Sequence, residues 1–199
     1  MNKRILVLDK IILLIIFILI GILRPDIVVI ISYFAVYPYL IFTKRKNALS
    51  HLQIASLLAI TWLIFTRGYY NYNREMFLIF GMPLFPLFSW ALGLFAAYLI
   101  YSHFEHKIKN TNLLKEVVLF CIFYIPLLLL AETIAYNLYN IKNLATASYS
   151  SISFCNCLHA PDWMKIFYFI MGPLYLIICK VTGLENPHFK SLKEVERLG

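Results

Sequence analysis

Six long apolar stretches, with the lysines and arginines between them falling mostly on alternate connections, leave this chain few ways to fold. A membrane-spanning helix needs about 20 apolar residues at roughly 1.5 Å of rise each. Ile5–Leu23, Ile27–Phe42, Leu49–Thr66, Met76–Tyr101, Leu113–Ala135 and Ile166–Val181 meet that requirement, the second and sixth only with thinning of the bilayer or snorkelling flanks. A soluble chain would have nowhere to put this much apolar surface. The 199 residues are 61% hydrophobic with mean hydropathy +0.75, against roughly 45–50% apolar in ordinary domains. The expectation is an all-α, polytopic integral membrane protein, one helical domain over residues 1–199 without internal repeats. Lys3 and Arg4 before the first stretch resemble a signal peptide. The absence of small residues at cleavage spacing predicts an uncleaved span instead.

Charge then sets an orientation. Lys3, Arg4 and Lys10 precede or open the first span, and Lys44, Arg45 and Lys46 fill the second connection. Lys107, Lys109 and Lys115 fill the fourth, and Lys180, Lys190, Lys193 and Arg197 mark the tail of residues 182–199. The other face holds only Arg24, Arg67, Arg74, Lys142 and Lys165. The positive-inside rule therefore predicts both termini in the cytoplasm. A net charge of +8 with only 14% charged residues fits anionic headgroups. No basic, aromatic-interleaved stripe of the kind a nucleic-acid reader needs is present.

Prolines punctuate the later spans: Gly81-Met82-Pro83 and Pro86 in the fourth, Pro126 in the fifth, Gly172-Pro173 in the sixth. The prediction is kinked or broken helices at these points.

Candidate chemistry gathers on the face away from the cytoplasm. The 136–165 connection is the longest and ends in Phe154-Cys155-Asn156-Cys157-Leu158-His159-Ala160-Pro161-Asp162-Trp163. Cys155, Cys157 and His159 offer two thiolates and an imidazole at alternate positions, a donor set for a soft metal ion, with Asp162 to orient the imidazole. The spacing is not a common zinc pattern and lacks a second ligand pair. The same cysteines read as a thiol-exchange pair, or as a structural turn in which they pack as small hydrophobes or bond to each other. Cys121 and Cys179 lie inside spans and read as packing residues.

Glu132, near the outer end of the fifth span, is an ionisable group at membrane depth and reads as a proton donor or acceptor, or as an interfacial carboxylate ending a helix. Tyr136, Tyr139 and Asn143 follow it at helical spacing. Arg67 and Arg74 flank a tyrosine-rich connection and can grip a phosphate or carboxylate head, with Asp26 nearby, although tyrosines there also suit an interfacial belt. On the inner face, His103, Glu105 and His106 lack the spacing of a zinc-protease helix and read as a solvated helix end. His51 takes no special role. Nucleophile elbows, phosphate-cradling loops and dinucleotide fingerprints are missing.

Three classes remain. The leading one is a small enzyme acting on a lipid or isoprenoid in the outer half of the bilayer. In it Glu132, His159 and Asp162 act as the catalytic groups, and Arg67, Arg74, Tyr136 and Asn143 bind the substrate. The alternatives are a small transporter or channel, and a non-catalytic subunit docking a partner through residues 136–165.

Overall fold

The computed structural model describes residues 3–105 and 112–186. These residues are mostly helical. Six helices follow one another: α1 (Lys3–Ile22), α2 (Pro25–Phe42), α3 (Ala48–Phe65), α4 (Leu84–Glu105), α5 (Leu113–Thr133) and α6 (Asp162–Val181). A π-helical turn over Ile134–Leu138 extends α5. Helices α2 to α6 are each long and apolar enough to cross a membrane, α5 together with its π turn. His106, Lys107 and Lys109, and Lys190, Lys193 and Arg197 of the tail, lie outside the described residues.

The helix ends follow from local chemistry. Arg24 is extended (φ −65°, ψ 116°) before Pro25, whose fixed φ suits the first turn of α2. Asn112 caps α5, its side chain accepting from the Lys115 amide at 3.1 Å. The fourth helix corrects the sequence reading, because it starts at Leu84 rather than Met76. Residues 78–83 instead form a hairpin, β1 (Leu78–Ile79) against β2 (Met82–Pro83), with Ile79 opposite Met82. Its two-residue turn, Phe80-Gly81, has φ of 50° and 76°, the left-handed pair that a type I′ turn demands and glycine supplies. Pro83 and Pro86 therefore sit before α4 and in its first turn, where missing amide donors cost nothing. The sixth helix begins at Asp162, four residues before the expected Ile166, and α5 runs on to Leu138. The long connection is therefore residues 139–161 rather than 136–165.

Helix α4 is the axis of the bundle and packs against each of the other five. On α3, Ala48, Leu52, Ala55, Ala59 and Trp62 form its buried face, and the small residues let the two backbones approach closely. Tyr124 of α5 lies over Gly172 of α6, where a Cβ would stand 2.3 Å from the ring. The Tyr124 hydroxyl donates to the Tyr168 carbonyl. Leu138, Leu130, Ile122, Phe65 and Phe42 point outward, as lipid-facing side chains do.

At the end of the bundle where residues 43–47 connect α2 to α3, a polar cluster ties four segments together. Arg45 grips Asp9 of α1 with both terminal nitrogens, at 2.9 and 2.8 Å. Tyr39 donates to the same carboxylate at 2.6 Å, and His103 Nε2 of α4 lies 3.1 Å from its other oxygen. All three charged or ionisable members are under 5% exposed. Burial of ions is costly, and only such complete pairing compensates it. Nearby, Lys180 bonds Glu105 and Glu116, the latter at 2.7 Å, fastening α6 to α4 and α5. His51 stacks on Tyr98 at 4.1 Å, with its Nε2 3.0 Å from the Glu185 carbonyl.

Candidate functional site

The opposite end, built from the α1–α2 turn, residues 66–83 and residues 134–161, holds most of the residues the sequence singled out. Its frame is a reciprocal asparagine clasp. The Asn71 amide donates to Asn143 Oδ1 at 2.9 Å, and Asn143 Nδ2 donates to the Tyr69 carbonyl at 2.7 Å. The Lys142 amide donates to Asn73 Oδ1 at 2.9 Å, while the Asn73 amide donates to the Lys142 carbonyl at 3.0 Å. Asn143 thus joins two connections and is not on a helical face with Glu132, because the helix has ended at Leu138. Arg74 is also committed to this frame, donating to the Tyr139 carbonyl.

The turn between α1 and α2 is locked to the hairpin. Asp26, fully buried, accepts from Arg24 at 2.9 and 3.3 Å and from the Phe77 amide at 2.8 Å. The Arg24 guanidinium also lies 4.9 Å from the Phe77 ring centre. Pairing with Asp26 holds the Arg24 pKa above its ordinary value. Beside this lock opens a cleft of about 510 Å³, lined by Arg24, Tyr70, Tyr72, Arg74, Glu75, Leu78 and their neighbours. Arg67 is not in it. It borders a separate hollow of about 40 Å³ that shares Tyr70, Gly81 and Pro83 with the cleft wall. Arg67 and Arg74, each a candidate grip for an anionic head in the sequence, thus line different hollows, and Arg24 lines the cleft with Arg74. The isolated Arg-Pro-Asp between two spans was the only sequence signal for Arg24.

Tyr70 is the hub behind the cleft. Its hydroxyl accepts from Trp62 Nε1 at 2.8 Å and from Trp90 Nε1 at 3.4 Å, and lies 3.3 Å from the Tyr168 hydroxyl. Glu132 stands within electrostatic reach of Tyr70, Tyr72 and Tyr168. Burial, with the Glu132 charge adding to it, raises the Tyr72 phenol well above its ordinary pKa, so it stays a neutral hydroxyl. Glu132 itself has no hydrogen bond or ion pair among the described residues. One helical turn on, Tyr136 stacks on His159 with ring centres 4.0 Å apart, and Lys142 Nζ lies 5.2 Å from the Tyr136 ring on its own account. Burial and the Lys142 and Lys165 ammoniums hold the His159 pKa below its ordinary value. Asp162 does not orient His159: its side chain is 88% exposed and pairs with Lys165 at 3.0 Å.

Cys155 and Cys157 are joined as a disulfide. While that bond stands neither sulfur is a thiolate, so the Cys155, Cys157 and His159 donor set is not assembled. Among the described residues no three His, Cys, Asp or Glu side chains stand together as a metal site. The paired cluster around Asp9 went unread in the sequence. Asp9 lies inside the first apolar stretch, and Arg45 counted only as one of the positive charges of the second connection. Comparison with protein families, characterised proteins and solved structures gives no match, so chemistry at the site is the only guide to function.

Proposed function

We propose that this chain is a membrane enzyme that takes an anionic-headed lipid or isoprenoid into the 510 Å³ cleft and uses Glu132 to move a proton. In this reading α1 is a sixth span, and both termini lie in the cytoplasm. The support for orientation is the alternation of positive charge between connections. The observation that carries the functional reading is the cleft itself. Its wall has two guanidiniums, Arg24 and Arg74, and its rim is the 77–80 strand and turn, whose side chains are apolar and exposed, Phe80 at 85%. A polar floor beneath an apolar lip fits an amphiphile that enters sideways from lipid, its head meeting the arginines.

Glu132 supports catalysis over storage. An intramembrane carboxylate without a partner is expensive, and such groups mark proton or substrate paths. Tyr70 and Tyr72 line the cleft and stand within reach of Glu132, so they connect the head-binding wall to the proton-handling group. His159, stacked on the Tyr136 ring one helical turn beyond Glu132, is the accessory base.

The test is lipid retention and turnover in nanodiscs containing phosphatidylcholine alone, phosphatidylglycerol, or a polyprenyl phosphate. Native mass spectrometry is expected to find an anionic lipid held by the wild type and lost from Arg74→Gln. Glu132→Gln is expected to keep the lipid and lose its conversion. Equal retention of phosphatidylcholine would remove the anionic head, and full conversion by Glu132→Gln would remove the carboxylate from the reaction. Ion or solute flux without conversion would favour a transporter, and a stoichiometric protein partner without either would favour a scaffold.

A further inference from the structure

We propose that Cys155–Cys157 is a redox-active disulfide that oxidises dithiols presented at the long-loop end of the molecule. This site is separate from the cleft and does not depend on the reading of Glu132. Three observations carry it. The two sulfurs are unequally placed: Cys155 is half-buried, whereas Cys157 is 0% exposed and belongs to the hydrophobic core. Phe154, next to the accessible sulfur, is 80% exposed, an apolar contact beside the point of attack.

The frame of the turn does not rely on the bond. The Ile152 amide donates to the Cys157 carbonyl at 2.9 Å, and the Cys155 amide donates to the Ile152 carbonyl at 3.2 Å. Asn137, at the end of α5, clamps the turn from below, donating to the Cys155 carbonyl at 3.1 Å and accepting from Asn156 Nδ2 at 3.1 Å. A bridge across a single residue removes little loop-closure entropy from the unfolded chain, so it adds little that these bonds do not supply. Finally, Asn156 and Leu158, on either side of Cys157, are held at φ of 45° and 53°. Non-glycine residues in that region are disfavoured, and such backbone clusters at working sites.

The chemistry balances with the dithiol as reductant. Its thiolate attacks Cys155 Sγ, the sulfur–sulfur bond breaks, and Cys157 leaves as a thiolate that takes up the proton lost by the attacking thiol. The second thiol of the substrate then attacks the mixed disulfide and releases Cys155. Two electrons and two protons pass to the protein, and the substrate departs as a disulfide. Access selects Cys155 as the sulfur attacked, which makes the buried Cys157 the leaving sulfur.

Full-length protein in detergent, treated with dithiothreitol and then with glutathione disulfide, tests this by peptide mapping, which separates the pair from Cys121 and Cys179. The pair is expected to reduce with helical circular dichroism unchanged. In Cys157→Ser, Cys155 is expected to form the glutathione adduct about tenfold or more faster than Cys157 does in Cys155→Ser. Equal rates in the two variants would overturn the assignment of roles. A wild-type bond that reduces only in denaturant would overturn the proposal and leave a structural staple. Should a variant fail to fold, partial reduction of the wild type with glutathione answers the same question. An adduct on Cys155 alone supports the proposal, and one spread over both cysteines or on Cys157 overturns it.

Discussion

Asp9 and Glu132 are both carboxylates carried on apolar helices, yet their surroundings are opposite. Asp9 meets a bidentate arginine, a phenol and an imidazole, and joins α1, α2, the 43–47 connection and α4. Glu132 stands within electrostatic reach of the Tyr70, Tyr72 and Tyr168 phenols, with no hydrogen bond or ion pair among the described residues. The first charge is spent on architecture: removing any partner exposes the others to an uncompensated burial cost. The second contributes nothing to holding helices together, so its presence calls for a use. Pairing, more than depth, separates the structural carboxylate from the one proposed to handle protons.

The largest expected effect comes from breaking the paired centre. Asp9→Ala leaves Arg45 buried without its counter-ion and should cost about 3–5 kcal/mol, the range for a buried pair deprived of one partner. Glu132→Gln should change stability by less than about 0.5 kcal/mol, as substitutions away from packed or paired features do. Unfolding in mixed micelles, followed by tryptophan fluorescence, gives both values. A loss in Glu132→Gln as large as that in Asp9→Ala would dissolve the contrast.

The middle of the bundle sharpens it, because there neither charge takes part. Gly172→Ala puts a methyl group into the Tyr124 ring, and over-packing of this sort costs about 1–3 kcal/mol. The loss should appear in the same unfolding curves and be relieved by Tyr124→Leu, which frees the space. If the double variant is no better than the single one, the helices are spaced by something other than this contact.

Asn143→Ala addresses the frame under the functional end. It removes one acceptor for the Asn71 amide and one donor to the Tyr69 carbonyl, both near water, for about 1–2 kcal/mol. Hydrogen exchange is expected to rise in residues 69–73 and 139–143 while α4 stays protected. A global rise instead would mean that the clasp belongs to the same cooperative unit as the Asp9 centre.

The sequence was most legible where periodicity and composition act alone. The five helices from α2 to α6, each long and apolar enough to cross a membrane, follow from apolar length. The fourth helix was misplaced because residues 76–80 are as apolar as any span. The left-handed turn at Phe80-Gly81 is decided by two backbone angles, and hydropathy is blind to them. The candidate site was half legible. Glu132, Arg74 and the Cys-Asn-Cys turn stood out by residue type in an apolar setting. That Arg24 rather than Arg67 lines the cleft with Arg74, that Asn143 clasps two connections and that Asp162 turns to solvent all depend on which loops meet. The quartet of Asp9, Tyr39, Arg45 and His103 draws on segments up to 94 residues apart, beyond any local pattern.

The smallest effect is a pH response confined to the long-loop end. His159 titrates at a lower pH folded than unfolded, where the ordinary value is 6.5, because its ring is partly desolvated and faces Lys142 and Lys165. The unfolded state then binds more protons, so this contribution is complete above about pH 6.5 and is lost as pH falls through the folded-state value. The Asp162 carboxylate does not offset it, being turned outward to Lys165. Hydrogen exchange over residues 139–161, measured at pH 7 and at pH 5 and normalised to His159→Gln in the same buffers, should show acid-dependent loosening in the wild type alone. The stacking of His159 on Tyr136 makes the mechanism specific, since a charged imidazole between two ammoniums has reason to leave that contact. Identical loosening in His159→Gln would assign the response to another group.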